Sequence, residues 1–378
     1  MKVISFFSGA GGLDLGFKLA GHEVVWANDF DKYAVESYNK NIGEFSSTKA
    51  ILGDITELLS GDSEDISKIL PDADVVIGGF PCQGFSIANV DRSMEDERNY
   101  LYLELLKAIS IKQPKYFLLE NVKGLENMNS GKVLRLILDD LEDAGTSNSK
   151  VFSGKGPGYT VVYNVFNALD FGVPQNRERV IILGIRNDLI GSNLYNTNIV
   201  RDKLTSSRKA LFIRTTHSKN SKKIELISPH DKINKLYSNW KNGIYSHLEI
   251  LSDEKYSYRN IKDAIYDLPL EYSDEFCGHY NHIGSKCKVK ISNRVGNRET
   301  YWTKHAPTIM GRGSGTGGPL IPPHPEKHRR FSVREVARFQ TFPDEFIFCG
   351  SNSAAYRQIG NAVPVLMAYH IASIFNIK

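Results

Sequence analysis

Cysteine is scarce in this chain of 378 residues, which contains only four. That density excludes a scaffold held together by disulfides and fits a reducing compartment, so a cysteine in a special motif needs a chemical explanation. Long apolar runs are missing too. No stretch approaches the roughly 18 residues of a transmembrane helix, and MKVISFF gives way to SGAGG too early for a secretory signal. These absences predict a soluble, cytoplasmic protein.

Low-complexity sequence and an extreme net charge are also absent. Hydrophobic residues make up 41% of the chain and charged residues 24%, which is the range of globular proteins. The formal net charge of +4 is unevenly spread, because residues 190–305 contain 20 Lys and Arg against 12 Asp and Glu. A basic middle segment fits a polyanionic partner, although a solvated lysine-rich surface fits this composition equally well.

Short apolar and β-branched runs alternate with stretches of helical spacing along the first half of the chain. This alternation predicts an α/β fold with a doubly wound, mostly parallel sheet of the Rossmann-like type. The predicted strands are Val3–Phe7, Val24–Ala27, Lys49–Leu52, Val75–Ile77, Tyr116–Leu119, Thr160–Phe166 and Val180–Ile185, and the predicted helices are Leu13–Ala20, Lys32–Tyr38 and Tyr100–Ile111.

The second half of the chain has a different pattern. After about Arg186 the sequence becomes rich in Ser, Asn, Lys and Tyr, which predicts a smaller, irregular second domain. Ser332 and Glu335 match a capping box and predict a helix that continues through Phe339. Gln358–Phe375 is predicted to be a helix that returns to the first domain. The expected organisation is a first domain of residues 1–187 and 326–378 and a second domain of residues 188–325.

The first predicted strand runs into the glycine-rich turn SGAGG at residues 8–12 and then into a helix. Such a turn presents backbone N–H groups and a helix N-terminus to a ligand. Asp29 follows the second strand, where a carboxylate accepts hydrogen bonds from ribose hydroxyls, and Asp54 is placed to meet an adenine amino group. The glycine order departs from G-x-G-x-x-G, and a cysteine rather than hydride chemistry follows downstream. Together these features favour S-adenosylmethionine over a dinucleotide; a turn without a ligand is the other interpretation.

Cys82 lies in GGFPCQGFS, directly after the fourth predicted strand, where open α/β sheets bind ligands. Pro81 and the glycines predict a stiff loop that presents the thiol, whereas most cysteines are small buried hydrophobes. Glu120 follows the next strand, so the two side chains would share one crevice; a helix-start or ion-pair role is the alternative. A thiolate that adds to C6 of cytosine makes C5 nucleophilic, and Glu120 would assist at N3.

These motifs, in this order, resemble those of the DNA (cytosine-5) methyltransferases of bacterial restriction-modification systems, and the resemblance reaches both ends of the chain. FFSGAGGLDLGF resembles the family's cofactor loop, GGFPCQGFS its nucleophile motif, ENV its glutamate motif and QNRER its Q-x-R-x-R motif. RRFSVREVARFQTFPD resembles the segment that organises the recognition domain, and QIGNAVP the last motif. Taken alone, QNRER could be a run of charged surface residues.

The resemblance implies transfer of a methyl group from S-adenosylmethionine to C5 of a flipped-out cytosine in a specific duplex sequence. It also implies a covalent bond between Cys82 and C6, and protection of the DNA from a cognate restriction endonuclease. Residues 188–325 would be the target recognition domain. Ser86–Tyr100 would close over the flipped base, although an ordinary exposed loop also fits this stretch.

The resemblance assigns roles residue by residue. Phe7 would stack on the adenine, Arg179 would contact cytosine O2 and Arg177 would brace the active site. The implied catalytic residues are Cys82, Glu120, Arg177 and Arg179; the implied cofactor-binding residues are Phe7, Ser8, Gly9, Gly11, Gly12, Asp29, Phe30, Asp54, Ile55, Pro81 and Asn361; and the implied DNA-binding residues are Gln83, Ser86, Arg98, Thr308 and Arg312.

Two other functions fit the same motifs. A small subgroup of the family acts on transfer RNA, and a relative could bind DNA without catalysing a reaction. FPCQGFS and the long basic segment favour DNA as the substrate. The intact residues Cys82, Glu120 and Arg179 favour an enzyme.

Cys277, His279, His282 and Cys287 carry side chains that zinc prefers, but their spacing matches no common zinc finger, and His282 could instead contact a phosphate. We therefore expect no metal. The expected partner is double-stranded DNA, bound by a monomer that makes no stable contact with the endonuclease.

Overall fold

The computed structural model describes residues 1–81, 100–189, 208–209, 211, 213–245, 255–273, 281–285, 289–294, 296–311 and 320–376. Nine strands occur in these ranges, and seven of them form the central sheet. The strands are β1 (Lys2–Phe6), β2 (Glu23–Asp29), β3 (Ala50–Leu52), β4 (Val75–Gly78), β5 (Tyr116–Val122), β6 (Tyr159–Asn167), β7 (Glu178–Arg186), β8 (His217–Ser218) and β9 (Tyr256–Ser257).

The central sheet has the strand order β3-β2-β1-β4-β5-β7-β6. Strands β1 to β5 pair in parallel, and β7 runs antiparallel to both of its neighbours, β5 and β6. The predicted mostly parallel sheet is therefore confirmed, with β7 as its reversed strand. Because β1 to β5 point the same way, their carboxyl ends lie along one edge, which is where such sheets bind ligands.

Helices cover both faces of the sheet. Alternate strand residues belong to two separate apolar clusters, with Val3 and Ile77 in one and Ile4 and Val76 in the other. Within the described ranges, no helix has both the length and the apolar character that a membrane span requires. The helices are α1 (Gly12–Leu19), α2 (Lys32–Asn41), α3 (Ile55–Leu58), α4 (Ser63–Ile69), α5 (Tyr100–Lys112), α6 (Gly124–Asn127), α7 (Lys132–Glu142), α8 (Pro229–Lys241), α9 (Ile261–Ile265), α10 (Val333–Phe339), α11 (Asn352–Asn361) and α12 (Val365–Ala372).

The end of the chain differs from the sequence prediction. Gln358–Phe375 is not one helix, because α11 ends at Asn361 and α12 begins only at Val365. Pro364 lies between them as the N-cap of α12; its ring disfavours a helical conformation in the residue before it, so the chain turns there. The predicted capping box of α10 is confirmed, since the Ser332 hydroxyl accepts from Glu335 N–H (3.0 Å) and the Glu335 carboxylate accepts from Ser332 N–H (2.7 Å).

The described part of the basic middle segment packs onto the first domain. Strands β8 and β9 pair in parallel, and α8 lies against the amino-terminal half of the chain. The Tyr237 hydroxyl donates to the Asn41 carbonyl (2.8 Å), and Lys241 forms an ion pair with Glu345 (2.6 Å). A single apolar cluster joins this segment to α1 and α12; its members from the segment are Leu211, Ile213, Ile233, Tyr237, Trp240, Ile261, Ala264, Ile265 and Leu268.

Candidate active site

Four of the parallel strands end beside one another at the edge that carries the predicted site. In the strand register, Phe6 lies opposite both Asn28 and Gly78, and Gly78 lies opposite Leu119. The residues that directly follow these positions include the glycine-rich turn, the turn that leads to Cys82, and Glu120. The sheet therefore brings the predicted cofactor and catalytic segments to one place.

The end of β2 holds the glycine-rich turn in position. Ser8 N–H donates to the Asn28 carbonyl (2.9 Å), and Gly9 N–H donates to Oδ2 of Asp29 (2.8 Å). The other oxygen of Asp29 accepts from Asp31 N–H (2.9 Å). Burial raises the pKa of the Asp29 carboxyl, while these two N–H groups favour its charged form. Asp29 thus fixes the turn in addition to its predicted role toward a ribose.

The backbone of the turn adopts a left-handed conformation at Phe7 (φ 55°), Gly9 (φ 56°) and Gly11 (φ 91°). This region favours glycine and is strained for Phe7. At Gly11 a Cβ would overlap the side chain of Ile42, whereas at Gly9 a Cβ would meet no atom within 4 Å. The turn is therefore packed on one side and open at Gly9, where a ligand has room.

The residues that flank the turn present a mixed polar and aromatic surface. The Phe30 side chain is 72% exposed although it directly follows the buried Asp29. Asp54 is exposed and caps α3, since its Oδ1 accepts from the N–H (2.9 Å) and the hydroxyl (2.8 Å) of Thr56. Ile55 beside it is buried. A nucleoside placed here would find an exposed aromatic ring next to carboxylates.

The chain leaves β4 directly beside Glu120. A Cβ on Gly79 would lie 2.9 Å from Oε2 of Glu120, so a larger residue would crowd the carboxylate. The Phe80 carbonyl accepts from Nδ2 of Asn121 (2.9 Å), which ties the turn to β5. Pro81 is partly exposed and follows at once. Cys82 lies outside the described residues, as do Gln83, Ser86 and Arg98, so the described chain stops one residue before the predicted nucleophile.

Glu120 forms a buried ion pair with Arg179. The distance from Nε to Oε1 is 2.6 Å, and each side chain is only 10% exposed. The antiparallel register of β5 and β7 places Val122 opposite Arg179, so Glu120 and Arg179 are diagonal neighbours on one face of the sheet. The ion-pair interpretation of Glu120 therefore holds, and its partner is the other residue predicted to face the cytosine.

Arg177 does not face the crevice in the same way. Its fully buried guanidinium donates to the carbonyl groups of Ile309 (2.9 Å), Gly360 (2.7 Å) and Ala362 (3.0 Å). Burial first, and then repulsion from Arg179, hold its pKa well below the usual arginine value. Arg177 therefore joins two distant segments of the chain and supports the site from behind.

Thr308 lies on the exposed surface near this junction. Its hydroxyl donates to the Asn176 carbonyl (2.6 Å), next to Arg177. The short strand-like contact between Gln175 and Ala306 fixes the same region. Arg312, the other predicted DNA-binding residue of this segment, lies outside the described residues.

Sequence reasoning gave no role to three residues that shape the site. Gln175 is buried; its Oε1 accepts from Ile309 N–H (3.2 Å) and so holds the same segment as Arg177. The Gln340 side chain donates to the Ile359 carbonyl (2.8 Å). Arg357 pairs with Asp31 (2.8 Å) and links α11 to the turn after β2. Each lies in or beside a motif, but its partner is more than 15 positions away, so nothing local identified the contact.

His282 is the described member of the possible zinc cluster. It is buried; its Nε2 lies 2.9 Å from the Pro269 carbonyl and its Nδ1 lies 3.0 Å from the Ser332 hydroxyl. Both ring nitrogens therefore have protein partners. Cys277, His279 and Cys287 are outside the described ranges, and within those ranges no group of three or more His, Cys, Asp or Glu side chains could hold a metal ion.

Comparison with known proteins gives one consistent result. The chain matches the C-5 cytosine-specific DNA methylase family over residues 1–375. It is 35% identical to the Type II methyltransferase M.NgoFVII of Neisseria gonorrhoeae, over 99% of this chain and 87% of that protein. It is 33% identical to the Type II methyltransferase M.FnuDI of Fusobacterium nucleatum, over 98% of this chain and 93% of that protein. The crystal structure of the Dnmt2 methyltransferase of S. pombe has the same fold, with a TM-score of 0.58, 18% identity and coverage of 100% of this chain and 98% of that one.

Proposed function

Given that the chain belongs to the C-5 cytosine-specific DNA methylase family and is a DNA methyltransferase of the Type II kind, we propose that it methylates C5 of a flipped-out cytosine within a specific short sequence of duplex DNA. One observation carries this proposal. Glu120 and Arg179 meet at 2.6 Å with only a tenth of each side chain exposed, and the backbone of Gly79 passes beside the Glu120 carboxylate three residues before Cys82.

The ion pair suits the hydrogen-bonding edge of a cytosine. That edge carries a donor at N4, an acceptor at N3 and an acceptor at O2. The Glu120 carboxyl faces N3 and N4, and the Arg179 guanidinium donates to O2. Both groups are already oriented by their contact with each other, so the pocket is organised before a base arrives. Because a stacked cytosine cannot reach this crevice, the base must leave the duplex, at a cost of a few kcal/mol.

Cys82 provides the nucleophile. Its thiolate forms a bond to C6 of the cytosine, and the electron pair of the C5–C6 double bond moves into the ring, where Glu120 stabilises the charge by protonating N3. C5, now nucleophilic, would accept the methyl group that S-adenosylmethionine supplies when bound, as the bond between that methyl group and the donor sulfur breaks. Loss of the C5 proton to a base, release of the Cys82 thiolate and return of the N3 proton to Glu120 restore the aromatic ring and regenerate both side chains.

The residues around the glycine-rich turn fit S-adenosylmethionine. Space is open beside Gly9, the buried Asp29 carboxylate keeps lone pairs for ribose hydroxyls, and Phe30 offers an exposed ring. When bound, this cofactor supplies a methyl group activated by its sulfonium. Phe7, Asp54, Ile55, Pro81 and Asn361 complete the proposed site, and the turn of residues 8–12 holds it against β2.

The second domain, residues 188–325, is proposed to select the DNA sequence. Thr308 lies near its end, where Arg177 joins it to the first domain. Thr308, Arg312 and, in the sequence after Cys82, Gln83, Ser86 and Arg98 are the residues proposed to contact the DNA. The relatives are Type II methyltransferases, and by extension the methyl mark made here protects cytoplasmic DNA from a cognate endonuclease. The enzyme works as a monomer.

The proposal is tested by incubating the protein with tritiated S-adenosylmethionine and either duplex DNA or transfer RNA. We expect label in the DNA alone, and bisulfite sequencing of DNA from expressing cells then identifies the methylated sequence. Label in transfer RNA but not in DNA would assign the protein to the RNA-modifying subgroup. Binding of DNA without transfer of label would make it a non-catalytic relative.

A further inference from the structure

Two glycines from distant parts of the chain cross in direct contact behind the cofactor turn. Gly311 ends the described segment 296–311, and Gly360 lies near the end of α11. A Cβ on Gly360 would overlap the backbone N of Gly311 and would lie 2.5 Å from the carbonyl C of Met310. A Cβ on Gly311 would overlap Oδ1 of Asn361. The two backbones therefore approach as closely as they do only because Gly360 lacks a side chain, and the Asn361 amide has its place only because Gly311 lacks one.

Side-chain hydrogen bonds lock this crossing. Arg177 donates to the Ile309 carbonyl (2.9 Å) on one segment and to the Gly360 carbonyl (2.7 Å) on the other. Gln175 accepts from Ile309 N–H (3.2 Å), and Gln340 donates to the Ile359 carbonyl (2.8 Å). Because these groups are buried, each lost bond would leave an unpaired polar group, so the crossing has one preferred geometry.

The other side of the same segment touches the cofactor turn. A Cβ on Gly12 would lie 2.5 Å from the Val363 carbonyl O and 3.1 Å from Cβ of Ala362. Residues 360–363 are thus held between the turn that begins α1 and the end of the segment that contains Gly311. Asn361 lies within this stretch and is exposed.

We propose that Gly311 is a positioning residue for the methyl-donor site, and that it acts through Asn361. The space left by its missing side chain is the space that the Asn361 amide occupies, so a residue of the second domain sets the orientation of an amide in the first. This inference rests on the proposed function, in which Asn361 contributes to the S-adenosylmethionine site. If Gly311 positions Asn361 in this way, the cofactor site is complete only when the second domain is packed against α11 at Gly311.

The test is the affinity of the full chain for S-adenosylhomocysteine, the demethylated product of the donor, measured by calorimetry. Gly311→Ala is expected to bind it about tenfold more weakly, the effect of one lost hydrogen bond. The first atom that the new methyl group meets is the end of a flexible side chain, so the melting temperature should change little. Gly360→Ala should instead lower the melting temperature, because its methyl group would meet only backbone.

A double-mutant cycle identifies the route of the effect. If Gly311→Ala acts by displacing the Asn361 amide, then in an Asn361→Ala background the same change should weaken binding less than about twofold. Gly124→Ala is the matched control, because a Cβ there would meet only Cγ2 of Val122, at 3.9 Å. That variant should bind S-adenosylhomocysteine like the unmodified protein.

The inference would be overturned, while the proposed function stands, by either of two results. One is a Gly311→Ala variant that binds S-adenosylhomocysteine as tightly as the unmodified protein; the other is a double variant whose loss of affinity equals the product of the two single losses. If Gly311→Ala fails to fold but the double variant with Asn361→Ala folds, the recovery of folding shows that the new methyl group acts on Asn361. If the double variant also fails to fold, the inference is wrong. Failure of the unmodified protein to bind S-adenosylhomocysteine would overturn the proposed function, and this inference with it.

Discussion

The opposite charges of Glu120 and Arg179 neutralise each other at a place where each side chain is only about a tenth exposed. Removing one charge from such a pair leaves the other buried without a partner, which typically costs about 3–5 kcal/mol. The contact therefore has two consequences. It keeps the crevice in shape before the substrate arrives, and it presents one acceptor and one donor side by side.

Glu120→Gln tests the first of these residues. The substitution keeps the shape of the side chain but removes the acid that we propose protonates N3, so we expect the rate of methyl transfer to fall about 10²- to 10⁴-fold. Binding of S-adenosylhomocysteine should be unchanged. Both are measured with purified protein, by label transfer and by calorimetry.

Glu178→Gln is the matched control, because the exposed Glu178 pairs with Lys123 at the surface (2.8 Å). Its activity should match that of the unmodified protein, since surface pairs contribute little. A Glu120→Gln variant that is as active as this control would remove Glu120 from the chemistry.

Residue types could be predicted from the sequence far better than their contacts. Asp29 and Glu120 were predicted because each follows a predicted strand that ends at the ligand-binding edge, whereas Arg179 was predicted from the resemblance of QNRER to a family motif. The hydrogen bond from Gly9 N–H to Asp29 and the burial of Arg177 against Gly360 could not be predicted, because they depend on how segments up to 183 positions apart pack together.

At the scale of elements, α12 carries a buried histidine in an apolar setting. His370 is fully buried, and its ring nitrogens have no hydrogen-bond partner among the described residues. Burial above all, with smaller effects of Lys232 and His217 and against that of Glu225, lowers the pKa of His370 to about 3. The unfolded chain binds a proton at this histidine near pH 6.5, and the folded chain does not.

The contribution of the neutral His370 to folding stability should therefore be fully present above about pH 6.5 and should be lost as the pH falls toward 3. For one such histidine, the loss between pH 7 and pH 5 is about 2 kcal/mol of unfolding free energy. We expect the unfolding free energy of His370→Leu, measured by urea denaturation, to fall by about 2 kcal/mol less than that of the unmodified protein over this pH range. His328→Leu is the control, because His328 is partly exposed beside Glu271. Equal losses in all three proteins would contradict this explanation.

The elements were predicted where a local pattern decides them. Strands β1 to β7 each overlap a predicted strand, because buried parallel strands appear as short β-branched runs. The break between α11 and α12 was missed although Pro364 marks it, because the apolar spacing continues across it. The helix α8 was not predicted at all; it is stabilised by packing against the first domain through Tyr237 and Trp240.

At the scale of the whole molecule, an apolar core joins the two predicted domains, and the basic residues concentrate in the second. The composition predicted the positive charge of the second domain, but it could not show that this domain packs onto the first. A basic surface fixed to the catalytic domain would hold DNA over the crevice at Glu120. Its contribution to binding should therefore depend on salt.

We expect the affinity of Cys82→Ala for its duplex target to fall about 10³-fold between 50 and 200 mM salt, the effect of about six phosphate contacts. The variant avoids turnover during a binding titration. An affinity that does not change with salt would refute the electrostatic role of the second domain, whatever the outcome for catalysis.

A covalent bond between Cys82 and a cytosine is the central step of the proposed function, and trapping that bond tests the proposal most directly. Duplex DNA with 5-fluorocytosine at the methylated position should, in the presence of S-adenosylmethionine, form a complex stable to denaturation, because fluorine cannot leave C5 as a proton does. We expect mass spectrometry to find the adduct on Cys82, and we expect none with Cys82→Ala. An adduct on another residue, or no adduct under conditions in which ordinary DNA is methylated, would contradict the account.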